Sequence, residues 1–348
     1  MSLPRRTVLP INKIFQLKSY DYPLPEALIA QEPLSQRDKC RLLVIDRREG
    51  TIRHGVFSRL SDYLPEKSSL VVNNSKVIPA RLLGKRKTGG AVEIFLLKAL
   101  GDGHRFEALL RPLKKIREGE EIDLGRGISA KLEDKLKRTV SFNKKDIIKH
   151  LARVGHIPLP PYIKRPDTPA DQKDYQTVYA SRPGSVASPT AGLHFTKELM
   201  AGLKSRGHGF LELTLHINYG TFKPVECDDI RQHPIHTESY SLKPAVYDKI
   251  LKAKDGGKPV VAVGTTSLRV LESVAQTGVY EGATNLFIYP GYDFKMADAL
   301  ITNFHLPRST LLMLVCAFGG HDLIMEAYRQ AVKERYRFYS YGDAMLIL

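Results

Sequence analysis

From about residue 76 to residue 142 the chain runs in short segments that alternate apolar and polar residues, such as AVEIFLL at 91–97 and RFEALL at 105–110. Turns rich in glycine or charge separate them: Thr88, Gly89 and Gly90; Gly101, Asp102 and Gly103; Gly125, Arg126 and Gly127. A half-buried strand repeats every two residues, and many short strands at this spacing form a small barrel. On both sides of this stretch the pattern differs. There, continuous apolar runs alternate with helical periodicity, as in an α/β sheet. The expected architecture is a mixed α/β core domain built from residues 1–75 and 151–348, with a small β-barrel domain inserted at residues 76–150.

Within the core, RLLVID at 41–46 and SLVVN at 69–73 read as buried strands, and 51–57 as a strand after a turn at Arg48, Glu49 and Gly50. Pro25, Leu28 and Ile29 suggest a short helix within 21–34. The proline-rich residues 158–161 (PLPP) and 165–169 (RPDTP) make a stiff connection back to the core. Beyond it we expect a helix over 195–206 started by Thr196, a strand over 210–217, and a helix over 244–254 ended by Gly256 and Gly257. A strand over 259–263, a helix over 267–275, a strand over 286–289 and an amphipathic helix over 323–336 follow. The longest apolar run, 311–318, is too short to span a membrane and reads as a buried helix or strand.

Charge narrows the class of partner. The 348 residues hold 53 Lys and Arg against 37 Asp and Glu, a net +16. Such a surplus points to a polyanion, with a solvated basic surface as the bland alternative. The first 20 residues carry Arg5, Arg6, Lys13 and Lys18 but no apolar stretch or cleavage site of a secretory signal, so a cytoplasmic protein is expected. Cys40, Cys227 and Cys316 are widely spaced and odd in number, which fits neither a disulfide framework nor a metal site.

Four segments look unlike scaffold. SPTAGLHF at 188–195 sets Thr190, Ala191, Gly192 and His194 just before a helix, a loop whose N–H groups can approach a ligand. LHINYGTFKPV at 215–225 carries His216, Thr221 and Lys223 around a glycine turn. VAVGTTSLR at 261–269 ends a buried strand in Gly264 and opens a helix with Thr265, Thr266 and Ser267. That geometry suits a carboxylate or phosphate, although Thr and Ser are also ordinary caps. In LITNFHLPRST at 300–310, Asn303 and His305 flank Phe304, which suits a planar base as well as it suits a buried ring. His236 and Glu238 share a strand face, but no third ligand is evident and no metal is expected. The phosphate loop, the dinucleotide-binding glycine pattern and the serine-hydrolase elbow are all missing.

Taken in order, residues 21–46, 73–82 (NNSKVIPARL), 175–195, 216–225, 261–273 (VAVGTTSLRVLES), 286–318 (with FIYPGY and TNFHLPRSTLLMLV) and 334–345 (ERYRFYSYGDAM) resemble one family. It is the S-adenosylmethionine:tRNA ribosyltransferase-isomerase family of queuosine biosynthesis. The resemblance implies an α/β core with an inserted β-barrel. It also implies transfer and isomerisation of the ribosyl group of S-adenosylmethionine, the co-substrate, onto preQ1 at the wobble position of tRNA. The chain departs from the family at HINYGTF, where many members read HVGxGTF, at Ser188 in place of Ala, at Asn74 where some members have Asp, and in a shortened stretch before Leu286.

On this basis His194 and His216 are the expected proton-transfer residues. Thr190, Ala191, Gly192, Gly264, Thr265 and Thr266 are expected to hold S-adenosylmethionine, the two threonines its carboxylate. Asn303, Phe304 and His305 are expected at the base, and Thr221 and Lys223 in the cleft beside His216. Arg81, Lys85, Arg86, Arg335 and Arg337 are the expected phosphate contacts. The expected partner is a tRNA carrying preQ1 in its anticodon, met by a monomer, with no metal and no membrane. The rival classes are a non-catalytic RNA-binding or translation-associated protein and a conventional methyltransferase.

Overall fold

Two kinds of sequence pattern produce two kinds of sheet. The computed structural model describes residues 11–101, 103–218, 220 and 224–348, so Thr221 and Lys223 lie outside the described residues. The chain divides into two compact units, one of Met1–Asn74, Pro189–Leu215 and Lys223–Leu348, the other of Ser75–Ser188 and His216–Phe222.

In chain order the strands begin with β1 (Arg41–Asp46), β2 (Thr51–Val56), β3 (Ser69–Asn73) and β4 (Ser75–Val77). The inserted stretch supplies β5 (Arg81–Arg86), β6 (Ala91–Ala99), β7 (Arg105–Arg111), β8 (Glu121–Asp123), β9 (Ser129–Asp134), β10 (Thr139–Phe142) and β11 (Gly155–His156). After β12 (Arg182–Ser185) come β13 (Gly209–Leu215), β14 (Glu238–Ser241), β15 (Val260–Val263), β16 (Glu281–Thr284), β17 (Ala299–Asn303) and β18 (Ala344–Ile347).

In the second unit, β5, β6, β7, β10, β9 and β8 pair in that order, and β8 pairs back to β5. Every pairing is antiparallel, so the six strands close into a barrel, with β11 added beside β5. Alternate residues such as Leu82, Ile94, Phe106, Leu132 and Val140 point inward and fill it. Gly84 permits the closure. A Cβ there would lie 2.7 Å from Ile122 Cγ2 and 2.8 Å from the Asp123 carbonyl, on the strand that seals the barrel.

This unit takes in more chain than residues 76–150. β4 pairs with β12, Gln176 bonds both backbone groups of Val77, and β11 carries the proline-rich run onto β5.

The first unit holds a nine-stranded sheet among the described residues, in the order β16, β14, β13, β3, β15, β17, β18, β1, β2. β13, β3, β15 and β17 are mutually parallel. β18 runs antiparallel to β17 and parallel to β1. β3, β15, β17 and β18 are buried along their whole length, which explains their continuous apolar runs.

This register brings one edge together. The carboxyl ends of β3, β15 and β17 at Asn73, Val263 and Asn303 lie beside the amino ends of β18 and β1. The chain moves outward from β3 to β13 and β14, then crosses to β15 on the other side of β3. Ligands of open α/β sheets settle at such a reversal, beyond the carboxyl ends of the strands.

The helices largely follow their signals. Thr196 caps Lys197–Ser205 by accepting from the Leu199 N–H, and Pro244 opens Pro244–Asp255. The apolar run is the buried helix Thr310–Gly319. No single helix among the described residues is long and apolar enough to cross a membrane. Two expectations are corrected. Residues 286–289 form no strand; the strand is Glu281–Thr284, and the aromatic residues after it pack ring against ring. Residues 21–34 hold only a single 3-10 turn, Glu26–Leu28.

Candidate functional site at the carboxyl edge of the α/β sheet

The site is built from short segments that end at this edge. The 3-10 turn Thr190–His194 packs along β17 and carries His194 into the interior, where the Phe57 ring lies 5.1 Å away. Asn303, the last residue of β17, lies 3.1 Å through Nδ2 from His194 Nε2 and donates from the same nitrogen to the Tyr339 carbonyl, also at 3.1 Å. A carbonyl only accepts, so this amide atom must be the nitrogen. Its other hydrogen then meets Nε2, which must be the bare ring nitrogen. The neutral imidazole therefore carries its proton on Nδ1, 3.2 Å from Cys40 Sγ.

Burial, reinforced by the Arg37 and Arg337 charges, pushes the His194 pKa down to about 3. Burial likewise raises the Cys40 thiol well above the usual range. The pair is neutral. Both ring nitrogens of His194 are engaged and burial disfavours its charged form, which favours a positioning role over the expected proton transfer. What the arrangement leaves over is Asn303 Oδ1, buried and without a hydrogen-bond partner.

Beside it lies the start of the helix Thr265–Thr277. Gly264 precedes it at φ 90°, where a side chain would be strained. A Cβ there would also sit 3.5 Å from Thr266 Oγ1 and 3.6 Å from the Ala191 Cβ. The two sequence segments thus meet, TAGLH on one side and GTTS on the other. No side chain caps this helix, and the hydroxyls of Thr266 and Ser267 are buried without partners. Free N–H groups, a helix dipole and two donor hydroxyls suit an anion such as a carboxylate. One turn further, Arg269 forms a buried ion pair with Glu238 and donates to the Leu286 carbonyl. Glu238 is thereby engaged, and no group of three His, Cys, Asp or Glu able to hold a metal exists among the described residues.

Several expected residues sit elsewhere in role. Phe304 is fully buried among Tyr328, Tyr336 and Phe338, so it cannot stack on a base. His305 is also buried, bonded through Nε2 to Thr302 Oγ1 at 2.8 Å, with its pKa pushed by burial to about 3. Arg86 is held by both Glu120 oxygens, whereas Arg337 donates through Nη2 to the Glu32 carbonyl and keeps Nη1 buried without a partner. Arg81 pairs with Glu93 at 2.8 Å, whereas Lys85 and Arg335 are exposed. Asn74 donates to Glu212 and accepts from Thr214, a bridging role that needs an amide.

His216 belongs to the second unit. There its ring packs against Gly184, whose Cβ would come within 3.0 Å, and its Nδ1 is buried without a partner. Burial lowers its pKa. Sequence reasoning missed Cys40 and the Tyr339 carbonyl. Neither has a local signal, because both reach His194 and Asn303 only through strand order.

Residues 17–347 match the family model described as a queuosine biosynthesis protein. The chain is 48% identical over 336 residues to the S-adenosylmethionine:tRNA ribosyltransferase-isomerase of Sulfurihydrogenibium sp., covering 96% of this chain and 100% of that one. Over 343 residues it is 50% identical to the protein of the same name from Symbiobacterium thermophilum, again covering 96% and 100%. A crystal structure of an S-adenosylmethionine tRNA ribosyltransferase from Thermotoga maritima aligns with a TM-score of 0.55 at 38% identity, covering 95% of this chain and 100% of that chain.

Proposed function

This chain belongs to the S-adenosylmethionine:tRNA ribosyltransferase-isomerase family of queuosine biosynthesis, and on that premise we propose how its residues serve the reaction. The enzyme moves the ribosyl group of S-adenosylmethionine to the aminomethyl group of preQ1 at the wobble position of a tRNA. It isomerises that group to the epoxide of epoxyqueuosine and releases adenine and methionine.

The sulfonium acidifies the ribose C5′ hydrogens. A base takes one of them, adenine leaves with a proton, the amine forms the new C–N bond and gives up a proton, and an oxygen of the sugar closes the epoxide by displacing methionine from C5′. The reaction needs a base, a neutral amine and a proton for adenine.

The observation that carries the reading is the meeting of Gly264 with Ala191 at the reversal point of the sheet, beside the end of β17. Thr266 and Ser267, whose buried hydroxyls have no partner, hold the methionyl carboxylate at the helix N-terminus, while Thr265 opens the helix. Thr190, Ala191 and Gly192 form the facing wall. Asn303 Oδ1 accepts a hydrogen bond from a substrate donor, and His194 positions that amide. His216, with an unpartnered Nδ1 and a lowered pKa, is the proton-transfer residue. The enzyme works in the cytoplasm as a monomer.

Mixing the purified protein with S-adenosylmethionine and preQ1-tRNA tests this reading. Adenine appears only when the tRNA is present, and released methionine keeps its methyl group. Tight tRNA binding without adenine release would make the protein an RNA-binding module, and a methylated tRNA would make it a methyltransferase. Gly264→Val tests the anion site. A β-branched residue at positive φ costs about 1–3 kcal/mol locally, so calorimetry should show S-adenosylmethionine binding weakened about tenfold or more with tRNA binding retained. Unchanged donor affinity would move the carboxylate elsewhere.

A further inference from the structure

The barrel's outer face carries a cleft that the reaction described above does not use. Strand alternation that turns Leu82, Ile94 and Leu110 inward turns Arg81, Glu93, Phe95, Leu109 and Arg111 outward. Register aligns them in two rows across β5, β6 and β7. Arg81, Phe95 and Leu109 form one; Leu83, Glu93 and Arg111 form the other. The pairing of β11 with β5 brings the next residues over this face, so Ile157, the proline-rich run and Ile163 make the opposite wall. The cleft between them has a volume of about 240 Å³. That is below the range of drug-sized pockets and suits a single planar ring system.

Its charges are uneven. Glu93 is taken by Arg81, and Asp167 by His156 Nδ1 at 3.0 Å and the Ile157 N–H at 2.9 Å. Arg165 is clamped by both oxygens of the buried Asp171, each at 2.8 Å. Arg111 is exposed and has no carboxylate partner among the described residues. An apolar floor beside a free guanidinium is the arrangement that receives an unstacked base and its phosphate.

Resting on the reading that the substrate is a tRNA, we propose that this cleft binds one unpaired nucleotide of that RNA. The base packs on Phe95 and the proline wall, and its phosphate meets Arg111, with Arg81 at the rim. A peptide is disfavoured as occupant because β5, β6 and β7 are paired on both sides and offer no edge for an added strand. The net +16 of the chain favours a polyanion over other ligands.

The test uses the full-length enzyme with preQ1-tRNA and compares Arg111→Glu, Phe95→Ala and Phe95→Tyr. Arg111→Glu and Phe95→Ala should each weaken tRNA binding, and raise its KM, between about fivefold and a hundredfold, the range for losing one stacked or phosphate-bound nucleotide. The kcat at saturating tRNA and the KM for S-adenosylmethionine should stay within about twofold of wild type. Phe95→Tyr should restore binding. Arg111→Gln should lower the slope of log affinity against log salt by about one. Because Arg111 is exposed, its variants read the cleft even if Phe95→Ala disturbs folding. Unchanged tRNA affinity in the Arg111 variants overturns the proposal. A rise in the KM for S-adenosylmethionine instead overturns it by assigning the cleft to the donor. Failure of the wild type to release adenine would overturn the reaction, while affinity and salt slope would still report on the cleft.

Discussion

Replacing His194 with alanine should lower tRNA-dependent adenine release by about a hundredfold or more and leave the shape of the pH–rate profile between about pH 5 and 8 unchanged. The two halves of this result separate a positioning residue from a proton carrier. His194 stays neutral throughout that range because burial holds its pKa near 3, so its loss removes no ionisation from the profile. The rate falls because the imidazole and the Tyr339 carbonyl together pin both hydrogens of the Asn303 amide. Without the ring, the amide can rotate and Oδ1 loses its fixed direction, and a misplacement of about 1 Å costs about two orders of magnitude. Asn303→Asp should be as damaging. It puts a second oxygen against two acceptors, the Tyr339 carbonyl and the bare Nε2. Both variants should lower kcat more than they raise the KM for S-adenosylmethionine, whose carboxylate we place at a different element, the helix Thr265–Thr277. An ionisation near 6.5 in the wild-type profile that vanishes in His194→Ala would restore the proton-transfer role. Wild-type turnover in that variant would remove His194 from the site.

The strands were legible where a single physical pattern decided them. RLLVID and SLVVN are buried on both faces and carry unbroken apolar runs, so their positions needed no tertiary information. The barrel was legible from alternation, because each strand has one wet face. β17 and β18 were not recognised as strands. Their residues, ALITN and AMLI, are stretches of five and four residues next to polar motifs, and what makes them strands is their mutual pairing across some forty residues of chain. The same cause hid half of the site. Sequence order could mark His194, Asn303 and Gly264 as unusual, but only sheet topology shows that Cys40 closes the far side of the imidazole. Phe304 shows the opposite failure. Polar residues on both sides suggested a stacking ring, whereas the backbone of His305 is tied to Tyr22 and Tyr328 and the ring turns into the core. Charge was legible only in sum. Whether a particular arginine is free depends on its carboxylate partner: Glu120 reaches Arg86 through the pairing of β8 with β5, and Asp171 reaches Arg165 from six residues further along the chain.

Acidification should destabilise the core unit well before its carboxylates are fully protonated. His194 and His305 are both buried and neutral, each with a pKa near 3, against about 6.5 in an unfolded chain. Between those values the unfolded state binds a proton at each site that the folded state does not, so stability is lost as pH falls through that window. At pH 4.5 the linkage amounts to about 2–3 kcal/mol for each histidine, or about 5 kcal/mol together, comparable to the whole stability of a marginal domain. Asp343 works in the opposite direction. Burial raises its pKa above the usual carboxylate value, so the folded state gains from protonating it, but one carboxyl cannot offset two imidazoles. Amide hydrogen exchange of peptides from β15 and β17, corrected for intrinsic rates, reads this unit alone. Protection should fall between pH 7 and 4.5 by the equivalent of about 5 kcal/mol. His305→Gln keeps a polar group beside Thr302 but cannot titrate, so it should lose about 2–3 kcal/mol less over the same interval. Equal protection at both pH values would mean that the imidazoles reach solvent and protonate in the folded state. Unchanged pH dependence in the variant would shift the acid sensitivity onto His194 and the surrounding carboxylates.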